Sequence, residues 1–278
     1  MESSIGCFMG DDFLAEKSRA LTAKLAGLNS ALVAYSGGVD SAYLAWAARK
    51  ALGDNMLAVL ADSPSLAGFQ KQNAIEFARS FGIPLEVIAT DEFNDPEYLR
   101  NNPDRCFHCK DELFVKLEAI AGQRGFNAIV YGVNADDVRD FRPGHRAAAT
   151  HGVLSPLLDS GITKADVREL AKQAGLPVWD RPASPCLSSR VAYGTPVTIQ
   201  NVKTVENGED AMRQLGFREF RVRHHGDLVR IEISPDELPQ ALDREMAKRF
   251  TEIFKKLGYQ YVTLDLQGYR SGSLNEVL

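Results

Sequence analysis

The sequence predicts a doubly wound, mainly parallel α/β sheet that is followed by a second, smaller α/β domain. Three observations support this fold class. Short apolar runs alternate with helix-like segments over residues 11–190, a glycine-serine loop joins the first apolar run to a helix, and turn residues interrupt the alternation near Gly194. A chain of 278 residues with 45% hydrophobic content can bury a core in each domain.

The elements of the first domain follow from hydrophobic periodicity. Leucines at helical spacing predict an amphipathic helix near the start, and short uninterrupted apolar runs predict buried strands. Because helices separate these runs, we expect the strands to pair in parallel. In chain order we predict a helix over 11–28, a strand over 31–35, a helix over 42–52, a strand over 56–61, a helix over 68–81, a strand over 85–89, a helix over 110–124, a strand over 128–131 and a helix over 164–174.

Glycine and proline in residues 191–196 place the predicted domain boundary after residue 192. The first domain then spans 1–192 and the second 193–278. His224 and His225 are expected at an exposed hairpin tip. The predicted elements of the second domain are a helix over 199–215, strands over 219–223 and 228–233, a helix over 238–257 and a strand over 261–266.

The composition argues against two classes of protein. The formal net charge is -5, whereas domains with a broad nucleic-acid surface carry a basic excess. No run approaches the ~18 apolar residues that a membrane span needs, and the N-terminus lacks a signal-peptide pattern, so we expect a cytoplasmic protein without membrane contact. The four cysteines are too few for a disulfide scaffold and suit metal binding or catalysis.

The most informative motif lies between the first predicted strand and the helix that follows it. Its glycines permit positive φ and a close approach of phosphate oxygens to backbone N–H groups, and the helix N-terminus adds partial positive charge. A Walker A loop would need a lysine after the second glycine, and none is present. A turn without a chemical role is the alternative. The predicted nucleotide-binding residues are Ser36, Gly37, Gly38, Val39, Asp40 and Ser41.

Polar residues follow later strands at the same predicted sheet edge. Asp40 suits direct phosphate contact poorly, since like charges repel, and fits a helix cap or a magnesium ligand better. Asp62 follows the second strand, and Gly132, Asn134 and Asp137 follow a later one. Carboxylates beside a triphosphate indicate Mg²⁺, which bridges phosphate oxygens. A helix cap at Asp62 and a capped turn at the later segment are the alternatives.

The cysteines form the second motif. Cys106 and Cys109 make one C-x-x-C pair, which is typical of half a zinc site, a redox dithiol or part of an iron-sulfur site. No second pair is present, which weakens structural zinc. Cys186 lies in a proline-stiffened segment that ends at Arg190, where nearby positive charge would favour the thiolate. A buried, inert cysteine is the alternative.

These motifs carry a family resemblance at two levels. The loop in its strand-to-helix setting resembles the pyrophosphatase loop (PP-loop) of the N-type ATP pyrophosphatases, which include GMP synthetase, NAD synthetase and tRNA thiolation enzymes. Together with Tyr-Gly-x-Asn-x-Asp-Asp at 131–137, the stretch 156–168 and Pro-Cys-Leu-Ser-Ser-Arg at 185–190, it is similar to the ATP-dependent sulfur transferases of lactate racemase cofactor synthesis. The resemblance covers nearly the whole chain, and its most specific part surrounds Cys186.

The resemblance implies a reaction and its cofactors. A carboxylate of pyridinium-3,5-biscarboxylic acid mononucleotide would attack the α-phosphate of ATP with Mg²⁺ present, and sulfur would then replace the activated oxygen. Asp40 and Cys186 would be the catalytic residues. In one branch of the family the cysteine matching Cys186 gives up its own sulfur, and in another three cysteines hold a [4Fe-4S] cluster. The set of Cys106, Cys109 and Cys186 favours the cluster over sacrificial donation.

The second domain is expected to bind the phosphate of that substrate. Arg190, Arg221, Arg223 and Arg270 are the predicted contacts. Arg221 and Arg223 alternate along one strand and share a face, and Arg270 lies in a glycine-serine loop suited to anions. The same face also fits a subunit interface, because relatives are oligomeric, so a homo-oligomer is expected. A solvated basic strand is the alternative for Arg221 and Arg223.

A tRNA thiolation enzyme is the main alternative function. It would share the PP-loop and, in some groups, three cluster cysteines, but it would need a nucleic-acid surface. The acidic total, the lack of zinc-binding cysteine pairs at the termini and the lack of a long basic run oppose it.

Overall fold

The computed structural model describes residues 5–137, 143–270 and 273, with side chains from residue 12 onward. The chain divides into two compact units. Unit 1 comprises Met1–Ser63, Gly68–Thr90 and Cys106–Ser184, and unit 2 comprises Pro64–Ala67, Asp91–Arg105 and Pro185–Leu278. Each unit therefore contains segments that are distant in sequence.

The predicted boundary after residue 192 lies inside unit 2. Val191 forms a parallel bridge with His224, and the Arg190 guanidinium donates to the Glu209 carboxylate at 2.8 Å. These contacts tie residues 185–192 to unit 2, and a turn pattern in the sequence carries no information about them.

Unit 1 is built on a parallel sheet of four strands. The strand order is β3-β2-β1-β4, and every neighbouring pair is parallel, which confirms the predicted α/β fold class. The central β1 is buried at every position, because its sequence is wholly apolar apart from a tyrosine hydroxyl. The strands are β1 (Ala31–Tyr35), β2 (Met56–Asp62), β3 (Leu85–Ala89) and β4 (Ala128–Tyr131).

Helices flank this sheet and agree closely with the predicted periodicity. Phe114 and Leu117 of the long helix before β4 are fully buried against sheet residues such as Val59. The helices are α1 (Ile5–Gly27), α2 (Val39–Leu52), α3 (Gly68–Ser80), α4 (Pro96–Leu99, in unit 2), α5 (Arg105–Arg124), α6 (Pro143–Thr150), α7 (Pro156–Asp159) and α8 (Lys164–Gln173).

Helix α5 begins five residues earlier than predicted, at Arg105 rather than Lys110. The predicted start missed Pro103 and Asp104, which are favourable residues just ahead of a helix. Cys106 and Cys109 consequently lie within the first two turns of α5 and not in a loop before it.

Among the residues that the structure describes, unit 2 contains a mixed sheet of three strands and three further α-helices. Strands β5 (Phe220–His225) and β6 (Leu228–Ile233) form an antiparallel hairpin, and β7 (Tyr261–Leu264) pairs in parallel with β6. The helices are α9 (Ile199–Gln214), α10 (Leu238–Ala241) and α11 (Arg244–Lys256). The predicted single helix over 238–257 is two helices, because Asp243 interrupts it and caps α11 by accepting from the N–H groups of Glu245 and Met246.

The core of unit 2 is aromatic and aliphatic. Phe217, Phe250 and Phe254 pack with the inward residues Val222 and Ile231 of the hairpin. In the described parts of the chain, every helix is too short or too polar to cross a lipid bilayer.

Candidate active site

The glycine-serine loop occupies the turn from β1 into α2 at the carboxyl edge of the unit 1 sheet. Gly37 has φ of +75°, a conformation that L-residues rarely adopt. A Cβ at Gly37 would also lie 2.6 Å from the Cβ of Ala74 in α3. Two independent constraints, one torsional and one steric, therefore require glycine at this position.

The side-chain hydroxyl of Ser41 forms hydrogen bonds with other residues of the loop. The Oγ of Ser41 accepts from the Ser36 backbone N–H at 3.2 Å, donates to the Gly38 carbonyl at 3.1 Å and lies 3.0 Å from the Ser36 Oγ. Gly38 is the N-cap of α2, and no side chain caps the helix. The first N–H groups of α2 are thus left for an anionic ligand, and Asp40 does not serve as the helix cap.

The segment that follows strand β4 packs directly against this loop. A Cβ at Gly132, the residue after β4, would lie 2.8 Å from the Ser41 nitrogen and 3.0 Å from the Asp40 carbonyl carbon. Only glycine permits this approach of two backbones. The contact places residues 132–137 beside the first turn of α2.

Hydrogen bonds fold residues 134–137 into a rigid turn. The Asn134 backbone N–H donates to Asp137 Oδ2 at 3.2 Å, and the Asn134 side-chain oxygen accepts from the Asp136 N–H at 3.0 Å. Asn134 is fully buried and Asp137 nearly so. Within the described chain, Asn134 Nδ2 and Asp40 Oδ1 are buried atoms without a hydrogen bond of good geometry, although the two side chains are close enough for Asn134 to lower the pKa of Asp40. A ligand could satisfy these polar atoms further.

Electrostatics at Asp40 indicate a cation site. Burial raises the pKa of the Asp40 carboxyl above its ordinary value, and the Asp137 carboxylate adds to this shift. The nearby cations Lys164 and Arg168 and a hydrogen bond with the Asn134 side chain oppose it. Two acidic side chains, one with an unsatisfied buried oxygen, form a donor set that fits Mg²⁺.

Sequence reasoning missed Lys164 and Arg168 as site residues. Both belong to α8, whose start is fixed by a capping box in which Thr163 and Asp166 exchange hydrogen bonds. The Lys164 backbone N–H donates to Asp136 at 2.8 Å, which joins α8 to the turn after β4. The capping box was readable in the sequence, but the neighbourhood of Asp40 was not.

Asp62 is the last residue of β2 and does not cap a helix. Its carboxylate forms an ion pair with Lys71 of α3, in which Oδ2 and Nζ are 2.5 Å apart. The side chains of Lys71 and Asp62 are 36% and 41% exposed. Asp62 therefore remains accessible at the carboxyl edge where the prediction put it.

The three predicted cluster ligands are divided between the units. Cys106 and Cys109 stand three residues apart in the first two turns of α5 and so share a helix face. Cys106 is exposed and Cys109 is partly buried, and both belong to unit 1, whereas the exposed Cys186 belongs to unit 2. Its exposure excludes the buried, inert alternative. Over residues 12–137, 143–270 and 273, no three His, Cys, Asp or Glu side chains are gathered as a metal site.

A buried guanidinium holds the chain around Cys186. Arg190 is almost fully buried, donates to Glu209 at 2.8 Å and donates to the Pro185 carbonyl at 2.9 Å. The Ser189 hydroxyl donates to the Cys186 carbonyl at 2.7 Å. These hydrogen bonds hold the backbone of residues 185–190 in place, while Cys186 stays exposed to solvent.

Three hydroxyl groups support the next residues of the same segment. The hydroxyls of Ser65, Tyr98 and Ser188 form a buried mutual network, with Tyr98 2.7 Å from Ser65 and 2.8 Å from Ser188. The Leu187 N–H donates to the Ser65 carbonyl at 2.8 Å. Sequence reasoning did not find Ser65 and Tyr98, since they lie about 90 or more residues from Ser188.

The arginines of the β5 strand are buried, so the solvated-strand alternative is wrong. Arg223 donates twice to Glu232 of β6, at 3.0 and 2.9 Å, and once to the Ser189 carbonyl at 3.0 Å. Arg221 lies over the Tyr269 ring, 4.5 Å from its centroid. The half-buried Arg270 follows Tyr269, and part of its glycine-serine loop, residues 271 and 272, lies outside the described residues.

The expectation that both histidines of the hairpin are exposed is wrong. His224 is buried, and its Nδ1 lies 3.0 Å from the hydroxyl of Tyr259. His225 is partly buried and ends β5. The inward face of β5 covers the core of unit 2, which draws His224 inside.

Comparisons with known proteins define first the class of this protein. The protein-family profile described as NAD synthase matches residues 14–98. One of the subunits of the glutamine-hydrolyzing GMP synthase of Pyrococcus furiosus is 28% identical over 235 residues, which cover 76% of this chain and 72% of that protein. With the parallel sheet and the loop between β1 and α2, these matches identify an ATP-using enzyme of the PP-loop class.

Longer matches define the particular family. An uncharacterized protein of Synechocystis sp. is 43% identical over 251 residues, which cover 90% of this chain and 94% of that protein. The pyridinium-3,5-bisthiocarboxylic acid mononucleotide synthase of Lactiplantibacillus plantarum is 36% identical over 266 residues, which cover 95% of this chain and 96% of that protein. The chain belongs to the family of this synthase.

Proposed function

We propose that this chain activates the carboxylates of pyridinium-3,5-biscarboxylic acid mononucleotide with ATP and replaces an oxygen of each by sulfur. One observation carries the choice among PP-loop reactions, namely the 36% identity to the L. plantarum synthase over 95% of this chain. The product would be a pair of thiocarboxylates of the kind that binds nickel in the lactate racemase cofactor.

The first step forms an acyl-adenylate. A carboxylate oxygen of the substrate bonds to the α-phosphorus of ATP, and the bond from that phosphorus to the bridging oxygen breaks, so pyrophosphate leaves with the electron pair. The first turn of α2, which no side chain caps, would offer its N–H groups to the phosphates. In the second step a sulfide sulfur bonds to the acyl carbon, AMP leaves and the proton of hydrosulfide is lost.

Asp40 and Asp137 are the residues that would hold Mg²⁺. The unsatisfied, buried oxygen of Asp40 and the neighbouring Asp137 carboxylate support this assignment. The ion would neutralise charge that develops on the phosphates. Lys164 and Arg168 supply fixed positive charge at the same place.

Cys106, Cys109 and Cys186 are the residues that would hold a [4Fe-4S] cluster. Thiolates are the ligands that such clusters require, and the exposure of Cys106 and Cys186 leaves them accessible. Three protein ligands would leave one iron able to bind the sulfide that the reaction consumes. The alternative is that Cys186 gives up its own sulfur through cleavage of its Cβ–S bond and loss of its α-proton, which leaves dehydroalanine.

Unit 2 would bind the phosphate of the mononucleotide. Arg221 and Arg270 are the proposed contacts, with Arg190 and Arg223 holding the surrounding chain through Glu209 and Glu232. A homo-oligomer that uses the same face remains part of the proposal.

Pyrophosphate release tests the adenylation step. With ATP and Mg²⁺, pyrophosphate should appear only when the pyridinium dicarboxylate is added. Cys186→Ala should still release pyrophosphate but form no thiocarboxylate, whereas Asp40→Ala should release none. Pyrophosphate release by wild type that does not depend on the dicarboxylate would contradict the proposed substrate.

Iron and sulfide analysis separates the two sulfur sources. After anaerobic reconstitution, wild type should contain iron and labile sulfide and absorb visible light, and Cys106→Ser and Cys109→Ser should lose the absorption. Cys7→Ser is the matched control and should keep it. A colourless wild type that loses about one sulfur in mass at Cys186 after turnover would favour the sacrificial alternative.

A further inference from the structure

A segment ahead of Cys186 is hydrogen-bonded to helices α8 and α3 of unit 1. This segment, residues 179–184, is named the strap here, and it belongs entirely to unit 1. It contains Arg181, which has no role in the proposed reaction and belongs to none of the sequence motifs described above. Pro182 follows Arg181 and restricts the backbone before it to extended conformations.

The strap is anchored at its beginning by a helix of the active site. The guanidinium of Arg168, in α8, donates to the carbonyls of Trp179 and Arg181, the latter at 2.7 Å. The Arg181 N–H donates to the Val178 carbonyl at 3.2 Å. Because Arg168 also lies close enough to Asp40 to affect its pKa, the strap begins beside the proposed magnesium ligand.

The strap is anchored at its end by the helix that packs against the loop. Gln70 of α3 donates from Nε2 to the Ser184 carbonyl at 2.9 Å and contacts the Ser184 hydroxyl. Ala74 lies one turn further along α3, on the same face. That residue abuts Gly37 and accepts a hydrogen bond from the Tyr35 hydroxyl at 2.9 Å. One face of α3 therefore contacts both the strap and the loop.

Arg181 carries a charge that no described carboxylate balances. It is partly buried, and no carboxylate in the described part of the chain lies within ion-pair distance of its guanidinium. The Tyr35 phenol is near enough for the two to interact, but burial raises the pKa of Tyr35, so the phenol stays neutral and cannot balance the charge. A partly desolvated cation without a counter-ion favours the arrival of an anion.

We propose that Arg181 binds the phosphate chain of ATP at the PP-loop and that the strap fixes it there. The anchors at Arg168 and Gln70 hold the backbone on either side of Arg181, which reduces the conformational entropy lost when the guanidinium binds. The guanidinium supplies several donors in a planar fork that matches phosphate oxygens. The inference rests on ATP binding by the PP-loop class and not on the sulfur chemistry of the proposed function.

Equilibrium binding of ATP with Mg²⁺ tests the inference, measured by calorimetry on the full chain without the dicarboxylate. Arg181→Gln should bind ATP about tenfold to a hundredfold more weakly, the loss expected for a charge-assisted hydrogen bond to phosphate. Arg181→Lys should recover part of the affinity, because it restores the charge without the fork. The matched control is Arg79→Gln, an exposed arginine at the end of α3, which should bind like wild type.

Each outcome decides between two conclusions. Weaker binding by Arg181→Gln, partial recovery in Arg181→Lys and an unchanged melting temperature support the inference. Pyrophosphate and AMP as separate probes then assign the contact: a selective loss for pyrophosphate places it at the β and γ phosphates, and a selective loss for AMP places it at the α-phosphate. Unchanged affinities for ATP, pyrophosphate and AMP would overturn the inference, and so would a wild type that does not bind ATP.

Discussion

Two glycines determine how closely backbones meet at the active site. Gly37 brings the loop against Ala74 of α3, and Gly132 brings the end of β4 against Ser41. At Gly132 the structure requires only the missing Cβ, whereas at Gly37 it requires both the missing Cβ and a positive φ. The loop is therefore held by packing from two sides before any nucleotide binds.

Gly132→Ala tests this packing at the scale of one methyl group. The added Cβ would lie 2.8 Å from the Ser41 nitrogen and 2.9 Å from its Cα, so the backbones must separate. We expect a loss of about 1–3 kcal/mol in the free energy of unfolding and weaker ATP binding, measured by urea unfolding and calorimetry.

Gly122→Ala is the control for that substitution. Gly122 lies inside α5, and a Cβ there would meet no atom within 4 Å. Because alanine is a better helix former than glycine, this variant should be more stable by about 0.5–1 kcal/mol. Equal effects of the two substitutions would show that the packing at Gly132 does not matter.

At the scale of elements, a histidine clamp fastens α5, the helix that carries Cys106 and Cys109. His151 follows α6, and its Nε2 lies 3.0 Å from Asp111 while its Nδ1 lies 3.0 Å from Glu118. The two carboxylates stand two turns apart on α5. Only the protonated imidazole can donate from both nitrogens, so the clamp is complete when His151 is charged.

The clamp predicts a defined dependence of stability on pH. Burial lowers the pKa of His151, but the hydrogen bonds that the imidazole donates to Asp111 and Glu118, together with their negative charges, outweigh it, and the net shift is upward from 6.5. A raised folded-state pKa contributes stability that is full below the unfolded pKa and is lost as pH rises through the folded pKa. The stability advantage of wild type over His151→Asn should therefore be largest below about pH 6.5 and shrink at higher pH.

Urea unfolding across this pH range measures the effect. The double variant Asp111→Asn, Glu118→Gln keeps the histidine and removes both carboxylates, so it should lose the same pH-dependent contribution. A stability difference between wild type and His151→Asn that does not change with pH would contradict the clamp.

At the scale of the whole molecule, the proposed nucleotide-binding residues all belong to unit 1, whereas Cys186 belongs to unit 2. The charged and polar residues around Asp40, from the turn after β4 and from α8, all lie in unit 1. Under the proposed function, activation is thus assigned to unit 1, and the three cysteines of sulfur delivery are divided between the two units. This division predicts where bound ATP will change backbone protection.

Hydrogen exchange locates that change. At an ATP concentration near 100 times Kd, binding should stabilise the folded protein by about 2.7 kcal/mol. We expect slower amide exchange in residues 36–42 and 132–137 when ATP and Mg²⁺ are added, measured by mass spectrometry. Asp40→Asn should lose this protection, and an unchanged loop in wild type would exclude it as the nucleotide site.

The agreement between sequence and structure is greatest where the information is local. The apolar run of β1, the turn residues of the loop and the periodicity of α3 each lie within about a dozen neighbouring residues, so the strands and most helix limits were readable. The limits of α5 and the break at Asp243 were missed because local capping patterns were overlooked. As a result, Cys106 and Cys109 were predicted to precede a helix that in fact contains them, and two helices were predicted as one.

By itself the sequence determined the class of fold and the position of the glycine-serine loop between β1 and α2, because hydrophobic periodicity and turn chemistry act between near neighbours. Only the tertiary structure decided that Lys164 and Arg168 stand beside Asp40, that Arg190 is buried against Glu209, and that Arg168 holds the strap. Those partners are joined by long-range packing, in which burial and charge compensation select contacts that no local pattern specifies.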